Sequence, residues 1–168
     1  MTNLLPYNNT WKLFFKKEKE NLLSILKGQE ISDIEHIGST SVVLCKAAGT
    51  IDVLLSIPDP VEIFTIKNIL VKNGYKYIDS MSKVNSFMFM RVHNGKVVAT
   101  IRVMEHACPE YMDIILFKCF LQANKKNVMK YNEYREILLK QCNGDGKKYH
   151  EGKIDYIVSK LAAIKPQK

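Results

Sequence analysis

The residues able to do chemistry concentrate between Ile34 and Ile57. A short strand pattern ends in Gly38-Ser39-Thr40-Ser41, and an almost wholly apolar run, Thr50–Ile57, carries a lone carboxylate, Asp52. A glycine at position 38 lets the backbone approach a bulky ligand closely. The N–H groups of such a turn, and of a helix start behind it, receive anions, with the hydroxyls of Ser39, Thr40 and Ser41 as further donors. The competing reading is an ordinary strand-to-helix cap. An acid inside an apolar strand is costly unless it meets a metal, a cation or a hydrogen-bond donor. His36 flanks the turn, where it either contacts phosphate and moves protons or serves as a hydrogen-bonded structural side chain. Cys45, close by, reads as a packed thiol in preference to a reactive one.

The surrounding elements follow from periodicity. Apolar positions Trp11, Phe14, Phe15, Leu22, Ile25 and Leu26 predict a helix after Asn9-Thr10 that closes at Gly28. Asp33–Ile37 is a short strand, Val42–Ala48 a brief helix, and Thr50–Ile57 a central strand buried on both faces. Pro58-Asp59-Pro60 stops that strand and starts a helix through Asn73, ended by Gly74. Tyr75–Asp79, Ser86–Val92 and Lys96–Met104 read as strands. The last two are joined by His93-Asn94-Gly95, whose Asn-Gly is a strong hairpin signal. Three helices follow, over Pro109–Asn124, Asn127–Gln141 and Tyr149–Ile164. Gly144-Asp145-Gly146-Lys147 imitates part of a phosphate loop but lacks its length and its Ser/Thr, so it reads as a plain loop. This order predicts an α+β fold, a mixed sheet covered by helices, in one domain spanning 1–168 with 109–168 as a helical subregion.

Composition narrows the class further. The 168 residues carry 25 Lys/Arg against 17 Asp/Glu, a net charge of +8. The charge is uneven, because residues 125–168 hold 11 basic and 5 acidic side chains, a net +6. Such a segment suits an anionic partner, a nucleotide, RNA or an acidic surface, or else forms a solvated helix face. A hydrophobic fraction of 46% with only 8 Gly and 5 Pro argues against disorder and low complexity. No apolar run approaches the roughly 18 residues of a membrane span, so no membrane partner is expected. No signal-peptide order is present at the N-terminus, and the four cysteines show no two-residue spacing. Reduced thiols in a cytoplasmic protein are the expectation.

"IEHIGSTSV" (Ile34–Val42) followed by "TIDVLLSI" resembles the GrpB family, a branch of the nucleotidyltransferase superfamily. Tyr7 and Trp11 sit where the family has an N-terminal aromatic pair. "PEYMDIILFKCFLQAN" (Pro109–Asn124) resembles its P-E-W helix, and Tyr131, Tyr149 and Lys153 fall near its C-terminal Tyr and Lys positions. The resemblance implies a nucleotidyltransferase-like sheet, a Gly-Ser turn that holds a nucleotide's triphosphate, and acids that hold Mg²⁺. On that reading Asp52 is the metal ligand and catalytic acid, with His36 beside it. Gly38, Ser39, Thr40, Ser41, Arg102, Tyr149 and Lys153 then surround the phosphates. For Tyr149 and Lys153 the alternative is an exposed basic face.

The departures from the family pattern bear on activity. Val43 and Leu44 replace its Pro-Gly, Ala48-Gly49 replaces its Lys-Pro, and Thr100 and Arg102 stand where a His-x-His pair is expected. The superfamily reaction uses two acids two residues apart on one strand face, to hold two metal ions about 3.5–4 Å apart. Position 54 is Leu, a trait the family shares. Arg102 in turn suggests an ion pair with Asp52 in place of a metal site. Three functions stand as rivals: an enzyme transferring a nucleoside monophosphate to a hydroxyl, a non-catalytic module binding a nucleotide or other anion, and an RNA-associated protein. The missing second acid favours the module, with weak or absent dependence on Mg²⁺.

Overall fold

Five strands form one mixed sheet in a computed structural model that describes residues 3–165. They are β1 (Asp33–Ile37), β2 (Ile51–Ile57), β3 (Lys76–Tyr77), β4 (Ser86–His93) and β5 (Lys96–Glu105), in the order β1-β2-β5-β4-β3. β2 runs antiparallel to β1 and parallel to β5. The remaining pairs are antiparallel. The β4–β5 hairpin closes through Asn94 and Gly95 alone, both at positive φ (48° and 72°), as a two-residue turn between right-twisted strands demands.

Strand alternation divides the sheet into two faces. Val53 and Leu55 of β2 and Ile101 and Val103 of β5 point toward α1 (Thr10–Ile25) and α2 (Ile63–Lys72). Trp11, Leu22, Ile66 and Leu70 from those helices close the main core over them. Asp52 and Leu54 point the other way, with Thr100 and Arg102 opposite them in register. α3 (Pro109–Ala123) covers that second face, seating Tyr111 on Ile37, Leu54 and Met104. α4 (Lys125–Gln141) and α5 (Gly146–Ile164) build outward from α3 around Phe117, Leu121, Val128, Tyr131 and Leu161.

Local chemistry sets the element ends. Asn124 and Asp145 accept hydrogen bonds from backbone N–H groups at the starts of α4 and α5. The loop fragment Gly144–Lys147 is therefore a helix cap. Two expected elements differ from the structure. Val42–Ala48 is not a helix; a three-residue 3₁₀ turn covers Ser39–Ser41, and the chain then runs irregularly, with Leu44 at φ 67°. An isolated bridge from Leu5 to Ala47 ties this loop to the N-terminal segment instead. The strand expected over Tyr75–Asp79 shrinks to Lys76–Tyr77, because Asp79–Met81 turns into a 3₁₀ segment. Among the described residues no helix is long and apolar enough to cross a membrane.

Candidate functional site

A cavity of about 270 Å³ opens where the start of β2 meets the C-terminal helices. Its polar lining comes from Ser39, Thr40, Asp52, Thr100, Arg135, Tyr149 and Lys153, and its apolar lining from Leu4, Ala47, Ala48 and Val97. The sheet supplies Asp52 and Thr100, which are register partners on neighbouring parallel strands. Thr100 Oγ1 donates to Asp52 Oδ1 at 2.6 Å. The second carboxylate oxygen lies against Gly38. A Cβ built on Gly38 would stand 2.2 Å from Asp52 Oδ2, and the residue has φ 69°. Glycine is thus required there on two grounds, space and backbone angle. Burial pushes the Asp52 carboxyl up from its ordinary value, while the Thr100 hydroxyl and the cations Lys153 and Arg102 pull it back.

The helices supply the cations. Arg135 of α4 is 2% exposed and has no carboxylate within salt-bridge distance among the described residues. Its Nη1 donates to Ser39 Oγ at 2.8 Å, and its Nη2 to Lys46 O at 2.6 Å and Asn132 Oδ1 at 2.8 Å. Cys45 Sγ accepts from Nη2 at 3.2 Å, and Tyr131 lies under the guanidinium at 4.2 Å. The Nε is buried without a partner. A buried cation without a counter-ion is costly, and here only neutral acceptors meet it. Lys153 of α5 faces the same space. Burial sets its pKa below the ordinary lysine value, and the charge of Asp52 offsets only part of that. Tyr149, one turn earlier on α5, lines the wall beside Arg135, and burial raises its phenol.

Several residues singled out from the sequence meet here: Gly38, Ser39, Thr40, Asp52, Tyr149 and Lys153. Three stand elsewhere. Ser41 is buried and donates to Gly38 O at 2.7 Å, closing the turn internally. Arg102 does not pair with Asp52; it binds Glu110 of α3 at 2.6 Å, and Thr100 takes its expected place on the carboxylate. Position 102 aligns with Leu54, one side-chain pair further along the strands, which puts the guanidinium within reach of α3. His36 points to the opposite face of the sheet, because its register partner is Val53 and not Asp52. It stacks on Phe15 at 4.6 Å and joins Thr40 Oγ1 at 2.9 Å. Burial, with Lys118 and Lys12 nearby, lowers its pKa to about 4, so it is neutral near pH 7 and orients Thr40 from behind. Arg135 escapes a reading of local motifs, although a signal exists. Val128, Tyr131, Arg135 and Leu138 form the buried stripe of α4, so a cation occupies a core position of an amphipathic helix.

The metal expected from the superfamily chemistry does not fit these side chains. Residue 54, where a second acid belongs, is Leu, wholly buried against Met104 and Tyr111. Glu105 lies five residues past Thr100 along β5, roughly 17 Å away at strand rise. Among the described residues no group of three His, Cys, Asp or Glu side chains could hold an ion. Asp52 stands alone, with one oxygen engaged by Thr100.

Comparison with known proteins agrees with this architecture. The chain matches the family model described as GrpB protein over residues 2–162. It is 23% identical to the glutamate-rich protein GrpB of Alkalihalophilus pseudofirmus, covering 92% of this chain and 90% of that protein. It is 27% identical to the UPF0157 protein YqkA of Bacillus subtilis, of which it spans only 44%. Among solved structures, the conserved protein GrpB from Enterococcus faecalis superposes with a TM-score of 0.77 at 19% identity, over 95% of this chain and 99% of that one. Cid1, whose structure was solved as an RNA terminal uridylyl transferase, superposes with a TM-score of 0.54 at 9% identity, over 82% of this chain and 42% of its own. That likeness concerns the fold, which is nucleotidyltransferase-like. With a family match running almost end to end, the chain belongs to the GrpB family.

Proposed function

We propose that the protein is a binding module for a phosphate-bearing small molecule, a nucleotide or a related anion, held between the Ser39 turn and the two C-terminal helices. The observation that carries this reading is Arg135, a buried guanidinium with no carboxylate partner among the described residues, one nitrogen on Ser39 and another unsatisfied. Lys153 adds a second cation at the same cavity, and Ser39 and Thr40 add hydroxyl donors. Arginine in this setting recognises phosphate through its planar fork. Metal-dependent nucleotidyl transfer is the weaker reading, since Leu54 removes the second acid on which a two-metal mechanism relies.

RNA association draws little support from the C-terminal helices. Lys147, Lys148 and Lys165 lie beside Glu151, Asp145 and Asp113. Tyr131, Tyr134 and Tyr156 pack on one another, so they do not offer the exposed aromatic platform on which bases stack. The test is a calorimetric titration of the full chain with inorganic phosphate and with nucleotides, without divalent cations, against Lys153→Met. Saturable binding weakened about tenfold or more by the variant is expected, the scale of one lost charge-assisted hydrogen bond. Equal affinities in both proteins would show that the anion binds elsewhere.

A further inference from the structure

The cavity places an acceptor beside its cations, and that combination selects among phosphate ligands. The anion is met by Arg135 and Lys153, the two basic side chains in the lining. Asp52 opposes them from the floor. Its Oδ1 is engaged by Thr100, whereas Oδ2 has no protein donor among the described residues and lies over Gly38. The Thr100 hydroxyl and the nearby cations favour the charged form of this carboxylate against its burial, and a carboxylate only accepts hydrogen bonds, so a ligand settling on this floor is best matched by a donor at Oδ2. An ammonium would be repelled by Arg135 and Lys153, which favours a neutral donor such as a hydroxyl.

Size and charge act in the same sense. At about 270 Å³ the cavity falls just under the roughly 300–1,000 Å³ of ordinary small-molecule sites. A free triphosphate would bring more negative charge than two cations balance and would press part of it against Asp52, with no metal-ligand set among the described residues to help neutralise it. The apolar wall of Leu4, Ala47, Ala48 and Val97 offers a surface to a carbon skeleton.

We infer that the ligand is a phosphomonoester of a polyol, such as a sugar phosphate or the ribose phosphate of a mononucleotide, with its phosphate on Arg135 and Lys153 and a hydroxyl on Asp52. This rests on the anion-binding reading above and adds the ester's hydroxyl and the exclusion of the free triphosphate.

The experiment is isothermal titration of the full chain, without divalent cations, with inorganic phosphate, ribose, ribose 5-phosphate, AMP and ATP. One or both monoesters should bind about tenfold or more tightly than inorganic phosphate, the scale of one hydrogen bond to a charged group, and more tightly than ATP. Ribose alone should not bind. Asp52→Val, checked by thermal melt, should remove the advantage of the esters while inorganic phosphate binds more tightly, because its negative neighbour is gone. If that variant does not fold, the order of affinities in the wild type still decides. Monoesters no better than phosphate, or ATP as the tightest ligand, would overturn this inference and leave the anion site standing. No binding of phosphate or of any ester would overturn both. Where the monoesters win, ribose 5-phosphate and AMP of equal affinity place recognition on the sugar phosphate, and a clear gain for AMP adds the base to it.

Discussion

Replacing Arg135 by Met separates a ligand-binding role from a structural one. The side chain serves four acceptors, Ser39 Oγ, Lys46 O, Asn132 Oδ1 and Cys45 Sγ. Three of these tolerate its loss. Ser39 can turn its hydroxyl into the cavity, a thiol needs little satisfaction, and Asn132 Oδ1 keeps the Lys46 N–H at 2.9 Å. Lys46 O loses its donor, which costs about 1–3 kcal/mol for an orphaned carbonyl. Against that, a cation buried without a carboxylate is removed, and its desolvation cost with it. Methionine fills most of the vacated space over Tyr131. The net expectation is a loss of about 1–2 kcal/mol. For a chain of this length each kcal/mol shifts Tm by about 2–4 °C, so the melt should move by about 2–8 °C.

Ligand response should change by a similar amount, and it can be read separately from the loss of stability. At a phosphate concentration of about 100 times its Kd, the wild type gains about 2.7 kcal/mol. A tenfold weaker variant at the same concentration gains only about 1.4 kcal/mol. The assay is differential scanning fluorimetry of both proteins across a phosphate series, with a neutral salt at matched ionic strength as control. A variant that responds to phosphate as strongly as the wild type would refute the assignment of Arg135 to the ligand. A loss beyond about 5 kcal/mol would refute the premise that its charge is spare, and would make it a structural tie between α4 and the Ser39–Lys46 loop.

The remaining expectations concern the floor of the cavity and its support. Gly38→Ala should destabilise by more than about 1 kcal/mol, because φ 69° strains any side chain and the added Cβ meets Asp52 at 2.2 Å; chemical denaturation measures it. Asp52→Asn should change stability by less than about 1 kcal/mol, since Arg102 keeps Glu110 and no guanidinium is orphaned; a loss of about 3–5 kcal/mol in urea melts would mean that a buried ion pair had been broken. In the wild type and in this variant alike, adding Mg²⁺ should leave phosphate-dependent stabilisation unchanged. The His36 pKa falls to about 4 on folding from an ordinary value of 6.5, so between these pH values the unfolded chain binds a proton that the folded chain refuses. Stability should therefore be fully present above pH 6.5 and decline as pH drops toward 4, and His36→Asn should flatten that part of the profile in urea melts.

Much of the scaffold was legible in local sequence. The β4–β5 hairpin is set by Asn94-Gly95, where both residues take the positive φ of a tight turn. β2 reads as a central strand from its apolar run, and its burial on both faces follows. The short helix expected over Val42–Ala48 was a different matter. Backbone preference there is weak, and the segment is fixed by long-range bonds: Leu5 to Ala47, Asn132 to Leu44 and Lys46, and Arg135 to Lys46. Nothing local announces those partners.

The candidate site divides along the same line. Residue types and strand periodicity were enough to pick out Gly38, Ser39 and Asp52, and to exclude a second acid at position 54, because side-chain alternation is a property of the strand alone. They could not say which cation stands over the turn. Arg102 was the natural partner for Asp52 in sequence, yet parallel register sets Thr100 opposite Asp52 and sends Arg102 to Glu110. The guanidinium that does reach the turn comes from Arg135, 96 residues from Ser39. In sequence it is one basic residue among many on the C-terminal helices. Only the tertiary packing of α4 buries it with no acid beside it among the described residues, and burial is what sets this charge apart from the ordinary surface charges around it.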